Sequence, residues 1–368
     1  MAQPDTHGSG TTPPPGAGAT AGGGLASASP HDRRPAQGGS SELAAALEPA
    51  LLAGLGGTLS PVSWFVSSWQ AGGAATGFAT LKLPHLPPAD VVVKLPVGPA
   101  EYRWTTELSP PLCVPERDDD GPICTDHEHD HPPTLRVLAS GTEVGGYDLA
   151  WLVVERLPGH TLQHDLTEQD VRDLLHAAAR LYQHAGAIRP VDRPPAVRDW
   201  EVLLARAREA CKTHQIAGAQ HWNDAIKHVQ KALPRLLARW ESRAINTWCH
   251  GDLHPGNAMR RPGNPGSCVL LDLALVHPGH WVEDAVYLER LYWGRPELLH
   301  GIKPVSHLAQ LRREMGLEAG DDYATLANIR RVMMAATSPA FLEREGHPKY
   351  LKAALEVLEK LLPQVVKA

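Results

Sequence analysis

Residues 248–257 read Trp-Cys-His-Gly-Asp-Leu-His-Pro-Gly-Asn, and they lie between a predicted helix and a predicted strand. The segment sets a carboxylate, Asp252, and an amide, Asn257, in one loop. Gly251 and Gly256 permit tight backbone turns, and the proline before Gly256 stiffens the chain between the two polar groups. A loop that holds a proton acceptor close to an amide oxygen predicts a site where a hydroxyl group is activated beside a metal ion.

Two further polar residues end apolar strands on either side of this loop. The run 269–274 delivers a single acid, Asp272, 20 residues after Asp252. A carboxylate suits magnesium because that ion is hard and prefers oxygen ligands. Upstream, Lys94 follows the apolar run 91–93, so a flexible cation projects from a rigid base. Together, Asp272 and Lys94 predict a site that neutralises phosphate charge with magnesium and an ammonium group.

Weaker candidates surround Lys94. Gly72 and Gly73 lie between the first two predicted strands and would let backbone amides approach phosphate oxygens, although Gly-Gly pairs are also common in ordinary turns. Glu101, on the next predicted helix, is the expected acidic partner of Lys94, and Glu107 is the alternative.

Strand patterns come first along the chain and helical patterns follow. After an initial helix at 42–55, short runs rich in β-branched or aromatic residues predict strands at 64–66, 77–83, 91–95 and 152–154. Beyond Thr161 the apolar spacing predicts helices, including 199–212, 221–241 and most of 281–368. This order predicts an α+β chain with a small N-lobe of about 110 residues and a larger helical C-lobe.

The predicted division has three parts. Residues 1–40 are expected to form a disordered tail, because they contain almost no large apolar side chains. Residues 41–155 form the N-lobe and 156–368 the helical C-lobe with the 248–257 loop. An insertion at 109–133 contains the run Asp-His-Glu-His-Asp-His and is either a solvated segment or a zinc or nickel site.

Composition excludes several classes of function. The chain has 35 Lys and Arg against 41 Asp and Glu, without a basic stripe, so no nucleic-acid partner is expected. It contains no apolar stretch of about 18 residues and no signal-peptide pattern, so no membrane span is expected. Five scattered cysteines without a Cys-x-x-Cys pair favour neither a disulfide framework nor a zinc knuckle, and they fit a reducing cytoplasm.

The octet from His250 to Asn257 has the spacing His-x-Asp-x-x-x-x-Asn of the protein-kinase catalytic loop. Together with the upstream strand and Lys and the downstream strand and Asp, it resembles the motif of aminoglycoside phosphotransferases and their relatives, the choline, homoserine and methylthioribose kinases. The resemblance covers residues 60–295. It implies the bilobal protein-kinase-like fold, ATP or GTP as donor, Mg²⁺, and transfer of the γ-phosphate to a hydroxyl of an aminoglycoside-, choline- or sugar-like acceptor.

The resemblance also implies a role for each matching residue. Asp252 is the expected catalytic residue, and Asn257 and Asp272 are the expected metal ligands. Lys94 and Glu101 correspond to the ion pair that positions the phosphates of the nucleotide.

Other positions carry roles only through the resemblance. The segment 154–159 resembles the interlobe hinge, whose backbone between Glu155 and Leu157 would hydrogen-bond adenine. The acid of Glu283-Asp284-Ala285 resembles a structural element of the family. The chain departs from the family after Asp272, where no aromatic neighbour follows, so a catalytically weak nucleotide-binding pseudokinase or scaffold is the alternative.

Histidines and aromatic residues near the motif divide into two groups. We expect His250 to hold the loop through hydrogen bonds and His254 to pack within it, whereas His277 and His280 are candidates for the acceptor site. Aromatic residues at helical spacing are expected in the core: Trp281, Tyr287, Tyr292 and Trp293.

Overall fold

The computed structural model describes residues 39–65, 74–84, 87–111, 117–118, 121–122, 131–262 and 267–367. The strands are β1 (Ser63–Phe65), β2 (Ala75–Leu81), β3 (Ala89–Val97), β4 (Arg117–Asp118), β5 (Gly121–Pro122), β6 (Val137–Gly141), β7 (Ala150–Glu155), β8 (Thr247–Cys249), β9 (Ala258–Arg260), β10 (Cys268–Leu270) and β11 (His277–Gly279). The α-helices are α1 (Gly39–Gly54), α2 (Pro99–Glu107), α3 (Glu168–Ile188), α4 (Trp200–Thr213), α5 (Ala219–Glu241), α6 (Val282–Leu291), α7 (Pro304–Glu314), α8 (Tyr323–Thr337), α9 (Leu342–Glu345) and α10 (Pro348–Lys367).

One antiparallel sheet of five strands, in the order β1-β2-β3-β7-β6, forms the first part of the fold. Alternation along β3 sends Val91, Val93 and Leu95 to one face, where they are fully buried against α1. The intervening Lys94 therefore projects from the opposite face of a central strand. The sheet thus fixes the direction of this cation.

Helix α2 follows β3 and packs against the strand that leads into the loop at 250–257. It begins after Gly98 with a proline in its first turn, where the missing N–H costs no hydrogen bond. Its buried side chains include Glu101 and Trp104. The ring of Trp104 packs against that of Trp248 on β8, with centroids 4.7 Å apart. An element of the first part of the fold therefore rests directly on the strand that leads into the loop.

The rest of the fold is mostly helical. Helix α3 begins with a capping box, in which Thr167 and Asp170 exchange hydrogen bonds between side chain and backbone. Leu174, Leu175 and Leu181 of this helix are fully buried. They belong to one large hydrophobic core that all the following α-helices share except the four-residue α9, which contributes Leu342 at its edge.

Two short antiparallel ladders lie between α5 and α6. Strands β8 and β11 pair with Cys249 opposite His277, and strands β9 and β10 pair with Ala258 opposite Leu270. The loop at 250–257 leaves β8 and enters β9, while Asp272 follows β10. These ladders bring the two polar segments of the motif together.

The predicted α+β class is confirmed, with a small antiparallel sheet followed by a larger helical part. The four predicted strands appear as β1, β2, β3 and β7, but β6 was missed because its sequence, Val-Leu-Ala-Ser-Gly, has little β-branched or aromatic character. The domain boundaries at 40/41 and 155/156 stay a prediction. The expected tail lies outside the described residues, except for Gly39 and Ser40, which begin α1.

Several other expectations concern absences or undescribed residues. Among the residues described, no helix is long and apolar enough to span a membrane. The same residues contain no cluster of three or more His, Cys, Asp or Glu side chains that could hold a metal ion. The His/Asp-rich run at 126–131 lies outside them, apart from His131. Cys211, Cys249 and Cys268 are buried free thiols.

Candidate active site

The carboxylate of Asp284, at the start of α6, holds the backbone of the catalytic loop. Its Oδ2 accepts a hydrogen bond from the N–H of His250 at 2.7 Å, and its Oδ1 accepts one from the N–H of Gly251 at 2.9 Å. The hydroxyl of Tyr182 on α3 donates to Oδ2 at 2.8 Å. Because Asp284 is only 1% exposed, these bonds satisfy a buried charge while they shape the loop. This structural role agrees with the expectation for the acid in this element.

Gly251 has a φ of +85°, and a Cβ atom there would lie 2.2 Å from the carbonyl oxygen of Leu275. Both observations require glycine. The neighbouring ring of His250 also fixes the loop, as expected. Its Nδ1 accepts a hydrogen bond from the N–H of Asp252, and its Nε2 lies 3.0 Å from the carbonyl oxygen of Leu271. With these partners Nδ1 is the acceptor of the ring and Nε2 its donor.

The side chain of Asp252 is buried and surrounded by donors. Its Oδ1 accepts a 2.5 Å hydrogen bond from the hydroxyl of Tyr287, and its Oδ2 accepts one from Nδ2 of Asn257 at 3.0 Å. Nε2 of His254 lies 3.6 Å from Oδ2. Burial raises the pKa of Asp252, but the hydrogen bonds and charge of these neighbours outweigh it and hold the pKa below its ordinary value. The carboxylate is therefore ionised at neutral pH.

Asn257 and Asp272 lie on two segments that a backbone hydrogen bond joins. Nδ2 of Asn257 also donates to the carbonyl oxygen of Asp252, and the Asn257 carbonyl accepts the N–H of Leu271 at 2.8 Å. The next residue, Asp272, is exposed and has a φ of +55°, in a region that aspartate tolerates better than most residues. Within the described residues, the amide oxygen of Asn257 has no hydrogen-bond donor. An amide oxygen and an exposed carboxylate are donors that fit magnesium.

The ammonium group of Lys94 forms an ion pair with Oε1 of Glu101 on α2. Burial lowers the pKa of Lys94, but the carboxylates of Glu101 and Asp272 outweigh burial and raise it. Glu107, the alternative partner, instead pairs with Arg189 at 2.8 Å. The geometry selects Glu101 as the partner of the lysine and keeps the lysine charged.

One cleft brings the ammonium and the candidate metal ligand together. Lys94 and Asp272 both line it, with Glu101. The remaining lining residues are mostly apolar and come from α2, the segment before β6, strand β7, and the end of β10 with the residues after it: Thr105, Leu135, Leu152, Val154, Leu270, Leu271 and Leu273. An apolar cleft with a few convergent charges is the usual form of a cofactor site.

The predicted hinge is engaged in protein contacts at one end. The N–H of Glu155 donates to the carbonyl of Arg136, and the Glu155 carboxylate forms an ion pair with Arg261 at 2.5 and 2.6 Å. Of the hydrogen bonds among described residues, none uses the N–H of Leu157. A role for either residue in binding adenine stays a prediction. Gly72 and Gly73 lie outside the described residues.

Two residues in contact with Asp252 were not predicted to touch it. Tyr287 was assigned to the core, where it does lie together with Trp281, Tyr292 and Trp293, but its hydroxyl reaches the carboxylate. A sequence signal exists, because Tyr287 follows Asp284 by three residues and so shares its helix face. His254 was expected only to pack. Of the acceptor-site candidates, His280 is buried and His277 is partly exposed near Glu283.

Several solved structures are similar to this chain at low sequence identity. A protein from Ralstonia eutropha JMP134 described as an aminoglycoside phosphotransferase is 14% identical, with a TM-score of 0.51, over 87% of this chain and 98% of that one. An aminoglycoside phosphotransferase from Alicyclobacillus acidocaldarius is 15% identical, with a TM-score of 0.46, over 83% and 91%. A thermostable mutant of APH(4)-Ia, in complex with AMP-PNP and hygromycin B, is 13% identical, with a TM-score of 0.45, over 86% and 98%.

Sequence comparison identifies the family. No match to this chain was found among curated proteins. The family model described as APH, phosphotransferase enzyme family, matches residues 124–327, which is more than half of the chain and includes Asp252, Asn257 and Asp272. The family agrees with the resemblance carried by the octet and with the fold. The chain therefore belongs to the APH phosphotransferase enzyme family, and it is a phosphotransferase.

Proposed function

We propose that this enzyme transfers the γ-phosphate of ATP or GTP, with Mg²⁺, to a hydroxyl group of a small molecule of the aminoglycoside, choline or sugar type. One observation carries the proposal. Lys94 and Asp272 line one cleft. The residue before Asp272 is hydrogen-bonded to the backbone of Asn257, and the side chain of Asn257 is hydrogen-bonded to that of Asp252. A cation, two oxygen donors for a metal and a proton acceptor are thereby contiguous, which is the arrangement that phosphoryl transfer needs.

Lys94 supplies the protein's fixed positive charge for the nucleotide. Its ion pair with Glu101 holds the ammonium on the cleft face of β3, where it can contact phosphate oxygens without first being ordered. Asn257 and Asp272 would hold the magnesium ion, which supplies charge neutralisation at the transferring phosphate. We expect Gly72, Gly73, Glu155 and Leu157 to contact the nucleotide as the family resemblance implies.

Asp252 would bind and orient the hydroxyl group of the acceptor and take its proton. A carboxylate can do so at neutral pH only when it is ionised, and the neighbours of Asp252 lower its pKa. Tyr287 donates a hydrogen bond to one carboxylate oxygen and Asn257 donates one to the other, so both oxygens are oriented. Because this transfer has a loose transition state, positioning contributes more than the strength of the base.

The second candidate function is a nucleotide-binding pseudokinase or scaffold. Two features of the sequence favour it: the segment after Asp272, where Leu273 stands in place of an aromatic residue, and the insertion at 109–133. Leu273 is buried beside the cleft, so it fills the same kind of packing position. All the polar groups that catalysis requires are present, and this favours a catalytic phosphotransferase over a scaffold. The cysteine usage supports a cytoplasmic location.

The decisive experiment compares Asp252→Ala with the unmodified chain. We expect magnesium-dependent ADP formation to fall by at least about 10³-fold across a panel of hydroxyl acceptors, while ATP still raises the melting temperature. Asp165→Ala is the matched control, because that carboxylate lies on the surface with its side chain 88% exposed. Equal turnover by the Asp252 variant would refute the proposal, and ATP binding without turnover on any acceptor would favour the scaffold.

A further inference from the structure

Four guanidinium groups gather beside α6, in the part of the fold that carries Asp252. They belong to Arg198, Arg243, Arg290 and Arg330. The guanidinium groups of Arg198 and Arg330 lie 5.2 and 5.5 Å from the centre of the same ring, that of Trp200, and Arg243 and Arg330 both face Glu283. Two carboxylates face them, those of Glu283 and Glu345. We call these six side chains the arginine cluster. With four positive and two negative charges, it carries an excess of two positive charges.

Three of the arginines are buried and paired. Nη2 of Arg243 donates to Oε1 of Glu283 at 3.0 Å, and Nη2 of Arg330 lies 3.7 Å from the other oxygen of that carboxylate. Nη1 of Arg290 donates to Glu345 at 2.7 Å. Their side chains are 5%, 11% and 4% exposed, respectively. These pairs use both carboxylates, so none is left for a fourth cation.

Arg198, in the loop before α4, is that fourth cation. Within the described part of the chain it forms no ion pair and no hydrogen bond, and its guanidinium stacks 5.2 Å from the ring of Trp200. It is partly exposed. Burial, Arg330 and Arg290 lower its pKa to about 10, which still leaves it charged at neutral pH. Five hydrogen-bond donors therefore remain for a ligand.

The arginine cluster begins one side chain away from the candidate catalytic carboxylate. The guanidinium of Arg290 lies 5.2 Å from the centre of the Tyr287 ring, and the hydroxyl of Tyr287 is bonded to Asp252. Asp284, which holds the loop, precedes Tyr287 by one turn of the same helix. One short helix thus connects the catalytic loop to the cluster.

Stability does not account for an unpaired cation at this position. A partly buried charge without a counter-ion destabilises the folded state, and neighbouring charges of the same sign add to that cost. Sites that bind ligands commonly keep such unfavourable groups, because the ligand supplies the missing partner. A guanidinium beside further guanidiniums has the chemistry to bind a carboxylate or phosphate group, often through two parallel hydrogen bonds.

We propose that Arg198 and the arginine cluster bind an anionic group of the acceptor, so that the acceptor is a hydroxy compound bearing a carboxylate or a phosphate and not a cationic amine. This inference rests on the proposed function, since it takes Asp252 as the group that meets the acceptor's hydroxyl. The excess positive charge would repel a polycationic aminoglycoside and attract an anion.

The test uses probes that share a skeleton and differ in charge. D-glucuronate, glucose 6-phosphate, D-glucose and D-glucosamine form one set, and glycerate, glycerol 1-phosphate, glycerol and 3-amino-1,2-propanediol form the other. Calorimetric titration of the full chain without nucleotide measures binding independently of phosphoryl transfer. Arg198→Gln removes the unpaired charge. Arg198→Lys keeps the charge but lacks the planar guanidinium that can donate two parallel hydrogen bonds. Arg206→Gln, which removes an exposed arginine from α4, is the control.

We expect at least one anionic probe to bind at least about tenfold more tightly than its neutral and amine counterparts. Arg198→Gln should abolish this preference, Arg198→Lys should retain part of it, and Arg206→Gln should leave it unchanged. The carboxylate and phosphate probes identify which anion is preferred. The proposal is overturned if no anionic probe binds, if an amine binds more tightly, or if Arg198→Gln keeps the preference.

A second measurement separates this inference from the proposed function. Magnesium-dependent ADP formation is recorded with the same probes and proteins. Anion binding abolished by Arg198→Gln, without ADP formation on any acceptor, would support the anion site and contradict the proposed function. ADP formation with amine acceptors alone would support the proposed function and contradict the anion site.

Discussion

The hydroxyl of Tyr287 donates a 2.5 Å hydrogen bond to Oδ1 of Asp252, so a residue in the core of the helical part orients the candidate catalytic carboxylate. Burial and the adjacent Asp252 charge raise the pKa of the Tyr287 hydroxyl, which therefore stays protonated and remains a donor. The bond extends from the middle of α6 to the loop that α6 already supports through Asp284. Helix α6 thus determines both the backbone and the side-chain geometry of the site.

Replacement Tyr287→Phe should raise the pKa of Asp252, because one hydrogen bond that stabilises the ionised form is lost. Loss of activity on the acid side should then begin at a higher pH than in the unmodified chain. We expect turnover at neutral pH to fall about tenfold, as the carboxylate loses one of its orienting contacts. The pH profile of kcat/KM for ADP formation measures both effects.

Tyr292→Phe is the matched control for this replacement. Tyr292 directly follows the last residue of the same helix and is buried, and within the described residues its hydroxyl has no hydrogen-bond partner. Its removal should leave the pH profile unchanged. Identical profiles for the Tyr287 and Tyr292 variants would contradict the positioning role.

Asp284→Asn should destabilise the fold by about 3 kcal/mol, because an amide group would face the N–H of His250 or Gly251 in the buried loop. Tyr182→Phe removes only the hydroxyl that donates to the same carboxylate and should cost about 1 kcal/mol. Denaturant unfolding followed by circular dichroism gives both values. Equal losses in the two variants would show that Asp284 does not hold the loop backbone.

Gly251→Ala and Gly146→Ala separate backbone strain from steric overlap. Both glycines have similar φ values, +85° and +82°, so both alanines should lose about 1 kcal/mol from the left-handed conformation. A Cβ at Gly146 meets no atom within 4 Å, whereas at Gly251 it would meet the Leu275 carbonyl. We expect Gly251→Ala alone to displace the loop and abolish ADP formation. Comparable activity in both variants would contradict the close approach.

The buried ring of His280 predicts an acid-sensitive fold. Burial holds its pKa at about 4, below the ordinary 6.5, so between these values the unfolded chain binds a proton that the folded chain does not. The free energy of unfolding should therefore decrease as the pH falls from 6.5 to 4, by about 3 kcal/mol from this residue. His280→Asn should flatten this part of the stability profile, and the exposed His228→Asn should not. A profile that His280→Asn leaves unchanged would assign the acid sensitivity to other groups.

Glu101→Gln and Glu107→Gln test the partner of Lys94. Loss of the Glu101 charge should lower the pKa of Lys94, since that carboxylate raises it, and loss of activity at alkaline pH should begin at a lower pH. We expect the KM for ATP to rise about tenfold, because the ammonium is no longer held toward the cleft. Glu107→Gln breaks only the pair with Arg189 and should leave the KM unchanged. A larger effect from Glu107→Gln would reverse the assignment.

Local features of the fold were predictable because their causes lie within a few residues. Glycines at tight turns, the Thr167 capping box and the alternation that directs Lys94 away from the α1 face all depend on short-range backbone geometry. Strand β6 escaped prediction because its residues have weak intrinsic preference and are held by pairing with β7.

The sequence by itself determined the order of the chemical groups: Lys94 on a strand, Asp252 and Asn257 in one loop, and Asp272 after the next strand. Only the tertiary structure decided which groups meet. Glu101 rather than Glu107 pairs with the lysine, and Tyr287 reaches Asp252 from 35 residues away. The arginine cluster draws side chains from three helices, α6, α8 and α9, and from two loops, and no local pattern encodes it. Contacts of this kind depend on how distant helices pack, which spacing along the chain does not specify.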